Sequence, residues 1–199
     1  MKDTLNALTR KLPILPLYIA GLLYPAWLFW QGLTGGLGVD PVKAMEHAMG
    51  EAALQLLILS LLITPIRRFT GITLLRFRRM IGVMTFVYVL VHLLVWLVLD
   101  VQLLSQIWAD ILKRPYITVG MAGFILMIPL ALTSNNWSTR KLGAQWRKLH
   151  RATYLIGILG GLHYVMVVKG FQIEPLIYLA VVVLSLLARI RPAKAKRVA

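Results

Sequence analysis

Arg78 to His92 reads R-R-M-I-G-V-M-T-F-V-Y-V-L-V-H, two guanidinium groups followed by an apolar run that carries a single imidazole. No charge interrupts the run as far as Leu99, so Met80 to Leu99 provides the roughly 20 mainly apolar residues that one bilayer crossing needs. Outward from it lie Leu12 to Leu33 and His47 to Ile66 on one side, and Tyr116 to Thr133, Ala152 to Val168 and Ile173 to Ile190 on the other. In chain order these predict six transmembrane helices, the quoted run being the third, and hence an all-α membrane protein built as a six-helix bundle. Composition agrees: of 199 residues 59% are hydrophobic and 15% charged, with a mean hydropathy of +0.75, far from the balance of a soluble domain. The chain divides into an N-terminal segment 1–11, a membrane domain 12–190 and a basic tail 191–199, so any catalytic domain is expected on another chain.

A formal charge of +15 would point to nucleic acid in a soluble protein. Here the cations sit between the apolar runs and report topology, and no nucleic-acid partner is expected. Eighteen of the 22 Lys and Arg fall in the N-terminal segment, the second-to-third and fourth-to-fifth connections, and the C-terminal end. The positive-inside rule therefore places both termini in the cytoplasm of a multi-pass protein of the bacterial inner membrane. Six of the seven acids lie toward the opposite face. Arg10 and Lys11 precede a run too long for a signal peptide and without a small-residue cleavage site, so a retained first helix is expected. Leu103, Leu104, Ile107, Trp108, Ile111 and Leu112 recur at helical spacing, as in a short helix resting on the periplasmic surface. The tail is read as a topology anchor, and Asn136-Trp137-Ser138 as a chance match to a glycosylation acceptor.

With no cysteine, disulfides, thiolate-held iron–sulfur clusters and covalently attached haem are excluded. Four histidines remain, at 47, 92, 150 and 163, and an ionisable group inside a membrane is costly enough to be functional by default. His92 lies 13 residues after Arg79, and His163 lies 13 after His150, so both sit roughly 20 Å along helices that start at the same face. Two neutral imidazoles at one depth can supply both axial ligands of a haem iron. Hydrogen-bonded core histidines are the alternative, and the matched depth favours ligation. Gly157, Gly160 and Gly161 just before His163 serve either close helix packing or a flat macrocycle; beside a buried His they lean toward the cofactor. His150 is turned some 140° from His163 on an ideal helix, and no histidine near Arg78 or Arg79 completes a second pair. The arginines at 76, 78, 79, 147 and 151 can pair with haem propionates or a flavin phosphate, though topology alone accounts for most of them. His47, Glu51 and Gln55 share a helix face that reads either as a quinol or proton site or, preferably, as a hydrated helix end with a His–Glu pair.

The stretch from Arg78 to His92 resembles the histidine-bearing third helix of the ferric reductase-like transmembrane domain shared by NADPH oxidases and metalloreductases. L-G-A-Q-W-R-K-L-H-R-A-T-Y, from Leu142 to Tyr154, and G-G-L-H-Y, ending at Tyr164, are similar to its fifth helix. The size and the single histidine on the third helix are most like the MsrQ (YedZ) family. That resemblance implies the haem b subunit of a periplasmic methionine sulfoxide reductase system. It would pass electrons from membrane quinol or a cytoplasmic flavin reductase to a molybdenum-dependent partner enzyme that repairs oxidised proteins. It implies His92, His150 and His163 as haem-associated positions, one or two haems, and FMN without a place for it. The rivals are a cytochrome b-type metalloreductase and a cofactor-free transporter or assembly protein with structural histidines.

Overall fold

The computed structural model describes residues 2–168 and 170–190, and among them every regular element is helical. The tail expected over 191–199 lies outside the described residues. Four helices are long and apolar enough to cross a membrane: α2 (Ile14–Leu33), α3 (Pro41–Thr70), the continuous run Leu75–Val101 containing α4 (Arg78–Leu94), and α6 (Pro115–Leu132). Two shorter apolar helices, α9 (Ala152–Val167) and α10 (Ile173–Leu187), complete the bundle. The remaining helices are α1 (Lys2–Lys11), α5 (Leu104–Lys113), α7 (Asn136–Leu142) and α8 (Ala144–Leu149). α5 is the amphipathic connector read from its spacing: none of its residues is buried, and Leu104, Trp108 and Leu112 are exposed.

α3 is longer than its apolar run because its ends are built to extend it. The Asp40 side chain accepts from the Lys43 backbone N–H at 3.1 Å with Pro41 in the first turn, and Gly71 ends the helix at φ 75°. His47 is therefore six residues inside α3, not at its start. The third run also differs from expectation, because after Leu94 the chain widens into a π-helical segment, Val95–Val101, which ends at Gln102 with φ 61°.

α3 is the axis of the bundle. One side carries Met45, Met49 and Ala53 into a core with Leu28 of α2 and Met84 and Tyr88 of α4. Its other side carries Leu54, Leu57, Ile58 and Leu61 against Met127 and Leu130 of α6, Ile156 of α9 and Val182 of α10. In lipid such faces are held by close packing, since hydrocarbon solvates leucine as well as another helix does. The two ends of the bundle differ in charge. At one end, here the basic end, α1 docks through Asn6 onto Gly71 and Thr73, Arg76 reaches the Thr9 and Arg10 carbonyls, and Arg68 holds the Ala188 and Ile190 carbonyls. The three ion pairs found among the described residues, Lys43 with Glu46 and Asp100, and Arg114 with Asp110, all lie at the opposite end.

Candidate functional site

His92 on α4 and His163 on α9 come together as the matched spacing predicts: their ring centroids are 6.3 Å apart, with the ring planes nearly perpendicular at 83°. Each ring is held by the same device. His92 Nδ1 lies 2.8 Å from the Glu46 carbonyl oxygen, and His163 Nδ1 lies 2.7 Å from that of Tyr116. A carbonyl only accepts, so both Nδ1 atoms carry hydrogen and donate it, which leaves each Nε2 with a free lone pair. This backbone anchoring of the far nitrogen is what orients metal-ligating histidines.

Each accepting carbonyl is followed four residues later by glycine, at Gly50 and Gly120. A helical carbonyl already receives the N–H of residue i+4, so a second donor must approach over that residue, where a side chain would stand. A Cβ at Gly50 would lie 3.1 Å from His92 Cε1 and Nδ1, and one at Gly120 would lie 2.8 Å from His163 Nδ1. These two glycines, with Glu46 and Tyr116, are the site residues that sequence reasoning missed. The signal was a glycine one turn after the carbonyl on a different helix, and nothing in the sequence identifies that helix as the neighbour.

Two of the three glycines that sequence reasoning did single out do something else. Added Cβ atoms would meet Leu61 Cδ1 at 2.9 Å from Gly157 and Leu179 Cδ1 at 2.8 Å from Gly161, while Gly160 faces Leu54 and Leu57 at ordinary contact distance. Gly157 and Gly161 let α9 pack against α3 and α10, which corrects the lean toward a macrocycle for those two, whereas Gly160 also lines the cavity that His92 and His163 face. The His47–Glu51 pair is corrected too: no hydrogen bond or ion pair joins them among the described residues. Glu51 Oε1 instead accepts from Gln55 Nε2 at 2.8 Å and from the Tyr178 hydroxyl at 2.9 Å.

His92 and His163 line a cavity of about 680 Å³ that also takes in Gly50, Glu51, Gly120 and Tyr164. A metal bonded to one nitrogen of each ring at about 2 Å needs ring centres about 6 Å apart and sets no angle between the ring planes. The facing donors are two imidazoles; His47, Glu46 and Glu51 also line the cavity, but no group of three such side chains that could hold a metal ion is found among the described residues. A room of this size, apolar with a few fixed polar groups, suits a large flat cofactor rather than a bare ion. The residues present therefore fit a bis-histidine haem.

His150 is not part of this pair. It lines a second cavity of about 870 Å³ at the basic end, which shares only Leu57, Met127 and Ile156 with the first. The Thr133 hydroxyl donates to the Pro129 carbonyl at 2.7 Å and so receives His150 Nε2–H at 3.0 Å, which leaves Nδ1 as the free lone pair. Trp146 stacks on the ring at 3.8 Å and 22°. Burial, and then the nearby Arg79 guanidinium, push the His150 imidazole below its ordinary range, which keeps it neutral at neutral pH. Around it stand Arg76, Arg78, Arg79, Arg147, Lys148, Arg151 and Arg189, and among the described residues no acid lines the cavity. Arg78 bonds the Thr64 hydroxyl and Arg79 the Asn136 side chain at 2.6 Å. Arg189, which sequence reasoning counted only as topology, holds the Leu61 carbonyl and the Tyr154 hydroxyl, while its buried Nε has no partner among the described residues.

Residues 49–161 match the family model described as the ferric reductase like transmembrane component. Curated relatives from Brucella ovis, Brucella suis and Brucella melitensis are 51% identical over 175 residues, covering 87% of this chain and 80% of theirs. Each is named as the MsrQ heme-binding subunit of a protein-methionine-sulfoxide reductase. No solved structure matches the chain.

Proposed function

Because the chain belongs to the MsrQ family of haem-binding subunits and carries its ferric reductase-like transmembrane component, we propose that it is the membrane electron-transfer subunit of a methionine sulfoxide reductase system. In this reading six helices cross the bacterial inner membrane with the basic end in the cytoplasm. Electrons from membrane quinol or a cytoplasmic flavin reductase pass through the bundle to a periplasmic molybdenum-dependent enzyme, where the sulfoxide is reduced. The observation that carries it is the His92–His163 pair, each imidazole fixed through Nδ1 to a backbone carbonyl with Nε2 free.

His92 and His163 would hold haem b, which when bound supplies a one-electron carrier inside the membrane. The chain's own work is orientation. The Glu46 and Tyr116 carbonyls fix tautomer and ring direction, and α3, α4, α6 and α9 supply the walls of the cavity the ligands face. At the basic end, Arg78, Arg79, Arg147 and Arg151, joined by Arg189, would hold the carboxylates of a second haem, with His150 as ligand, or the phosphate of FMN.

The test is a reduced-minus-oxidised visible spectrum of detergent-purified protein from haem-replete cells. A b-type spectrum is expected, and a colourless protein would overturn the proposal in favour of structural histidines. His150→Ala is expected to keep the spectrum of the His92–His163 site. It either loses about half the haem, if a second one is bound, or keeps all of it; loss of the whole spectrum would refute the separation of the two cavities.

A further inference from the structure

Lys43 carries two of the three ion pairs found among the described residues, and both lead to the His92 anchor. Its Nζ lies 2.6 Å from Asp100 Oδ2 and 3.2 Å from Glu46 Oε2. Glu46 is the residue whose backbone carbonyl receives His92 Nδ1–H at 2.8 Å. Asp100 follows His92 by eight residues on the same continuous run. The contacts close a ring, from the His92 imidazole to a turn of α3, across Lys43 to Asp100, and back along the chain to His92. The third ion pair braces the other anchor: Arg114, two residues before Tyr116, takes Asp110 Oδ1 at 3.3 Å.

The backbone between His92 and Asp100 is wound so that this ring can close. On an α-helix the eighth residue falls about 80° round from the first, off the face that His92 turns to α3. Over Val95–Val101 the chain is π-helical, with more residues in each turn, so the same eight steps rotate less and Asp100 returns toward that face. The segment stops at Gln102 with φ 61° and ψ −32°, a conformation that L side chains rarely adopt, its N–H on the Leu97 carbonyl at 3.1 Å. A widened turn and a positive φ are both locally unfavourable, and they persist where surrounding contacts hold them. Val95 and Trp96 are buried at the start of the segment. At its end, the Lys43–Asp100 pair is the only side-chain hydrogen bond among the described residues that joins it to another helix. Stability alone is a poor account of that pair. The Lys43 side chain is 44% exposed and Asp100 26%, and ion pairs so close to water add little to folding.

We propose that Lys43 is a positioning residue for His92: bridged to Asp100 and Glu46, it holds the α3 turn that bears the Glu46 carbonyl against the end of α4, and so fixes the His92 Nδ1–H bond. This role rests on the haem reading above for its purpose, though not for its geometry. It places a third layer behind the ligand, imidazole to carbonyl to ion pair, where outer partners set ring direction and ligand basicity.

The experiment uses the full chain in detergent, labelled with heavy nitrogen in its histidine rings, as wild type and as Lys43→Met, Asp100→Asn and Lys43→Arg. Ring-nitrogen NMR of the haem-free protein reads the tautomer without any cofactor. In the wild type His92 and His163 are both expected as Nδ1–H imidazoles. In Lys43→Met and in Asp100→Asn the His92 signal alone should lose that tautomer, and Lys43→Arg should keep it. Midpoint potentials of the haem-loaded protein give the second reading. A looser Nδ1–H bond makes the imidazole a weaker base toward iron, so both variants should raise the potential. Their charge effects oppose each other, since one removes a cation and the other an anion. Potentials moving in opposite directions would therefore reduce the bridge to local electrostatics and overturn the proposal, as would an unchanged His92 signal or an equal change at His163. Haem retention should fall less than about tenfold, below the range typical when an orienting partner is itself lost. If Lys43→Met does not fold, the nearly isosteric Asp100→Asn decides through its His92 signal. A colourless protein whose His92 signal still responds would sink the haem reading and leave the positioning role standing.

Discussion

Replacing His92 or His163 with alanine is expected to lower haem retention by at least about a hundredfold, beyond the 10- to 100-fold typical when only a ligand's orienting partner is lost. Both variants should fail alike, because each removes one of the two nitrogen donors that face each other. Both should still fold. The Glu46 and Tyr116 carbonyls keep their helical partners at Gly50 and Gly120, so losing the imidazole leaves no backbone group unsatisfied. Haem per chain by pyridine haemochrome, alongside gel filtration, separates loss of ligand from loss of structure. Full retention in His163→Ala would disprove the pairing.

Gly120→Val should come close to the same loss without touching a ligand. Its Cβ would stand 2.8 Å from His163 Nδ1 and 2.9 Å from Cε1, while Nδ1 is tethered 2.7 Å from the Tyr116 oxygen, so the ring must leave its anchor to make room. A tenfold or greater fall in haem affinity is expected, by the same orienting-partner argument. Gly50→Ala, with 3.1 Å to the His92 ring, should show a smaller fall or a shifted spectrum. Gly161→Ala supplies the contrast. Its Cβ meets Leu179, and overpacking of that kind costs about 1–3 kcal/mol, so the melting temperature should drop while the spectrum of retained haem keeps its shape. Normal haem binding in Gly120→Val would mean that the carbonyl anchor does not orient the imidazole.

The parts of this arrangement that were legible in the sequence follow from counting along one helix. Apolar runs marked the helices, and equal distances from two basic starts put His92 and His163 at one depth. The 140° turn reckoned between His150 and His163 assumed one ideal helix, whereas His150 caps α8 and His163 lies on α9, and the two line different cavities. Contacts across helices were not legible. Gly50 and Gly120 matter only because α4 and α9 happen to face those turns, while Gly157 and Gly161, nearer in sequence to a histidine, face leucines. Glu51 was read against His47, its neighbour on α3, and finds Tyr178, 127 residues away. The ends of α3 escaped a reading based on hydropathy because Asp40, Pro41 and Gly71 set them by backbone chemistry.

The three residues shared by the two cavities have a consequence for the cell's energy supply. A membrane protein hollowed from both ends risks becoming a leak, because a file of water from one chamber to the other would conduct protons and discharge the gradient that drives ATP synthesis. Leu57, Met127 and Ile156 meet where the chambers approach, and they are 7%, 7% and 3% exposed. An apolar septum of this kind excludes ions by staying dry. In the electron-transfer reading proposed above, electrons would tunnel through this hydrocarbon layer where protons do not pass, so the same three side chains would admit one current while blocking the other.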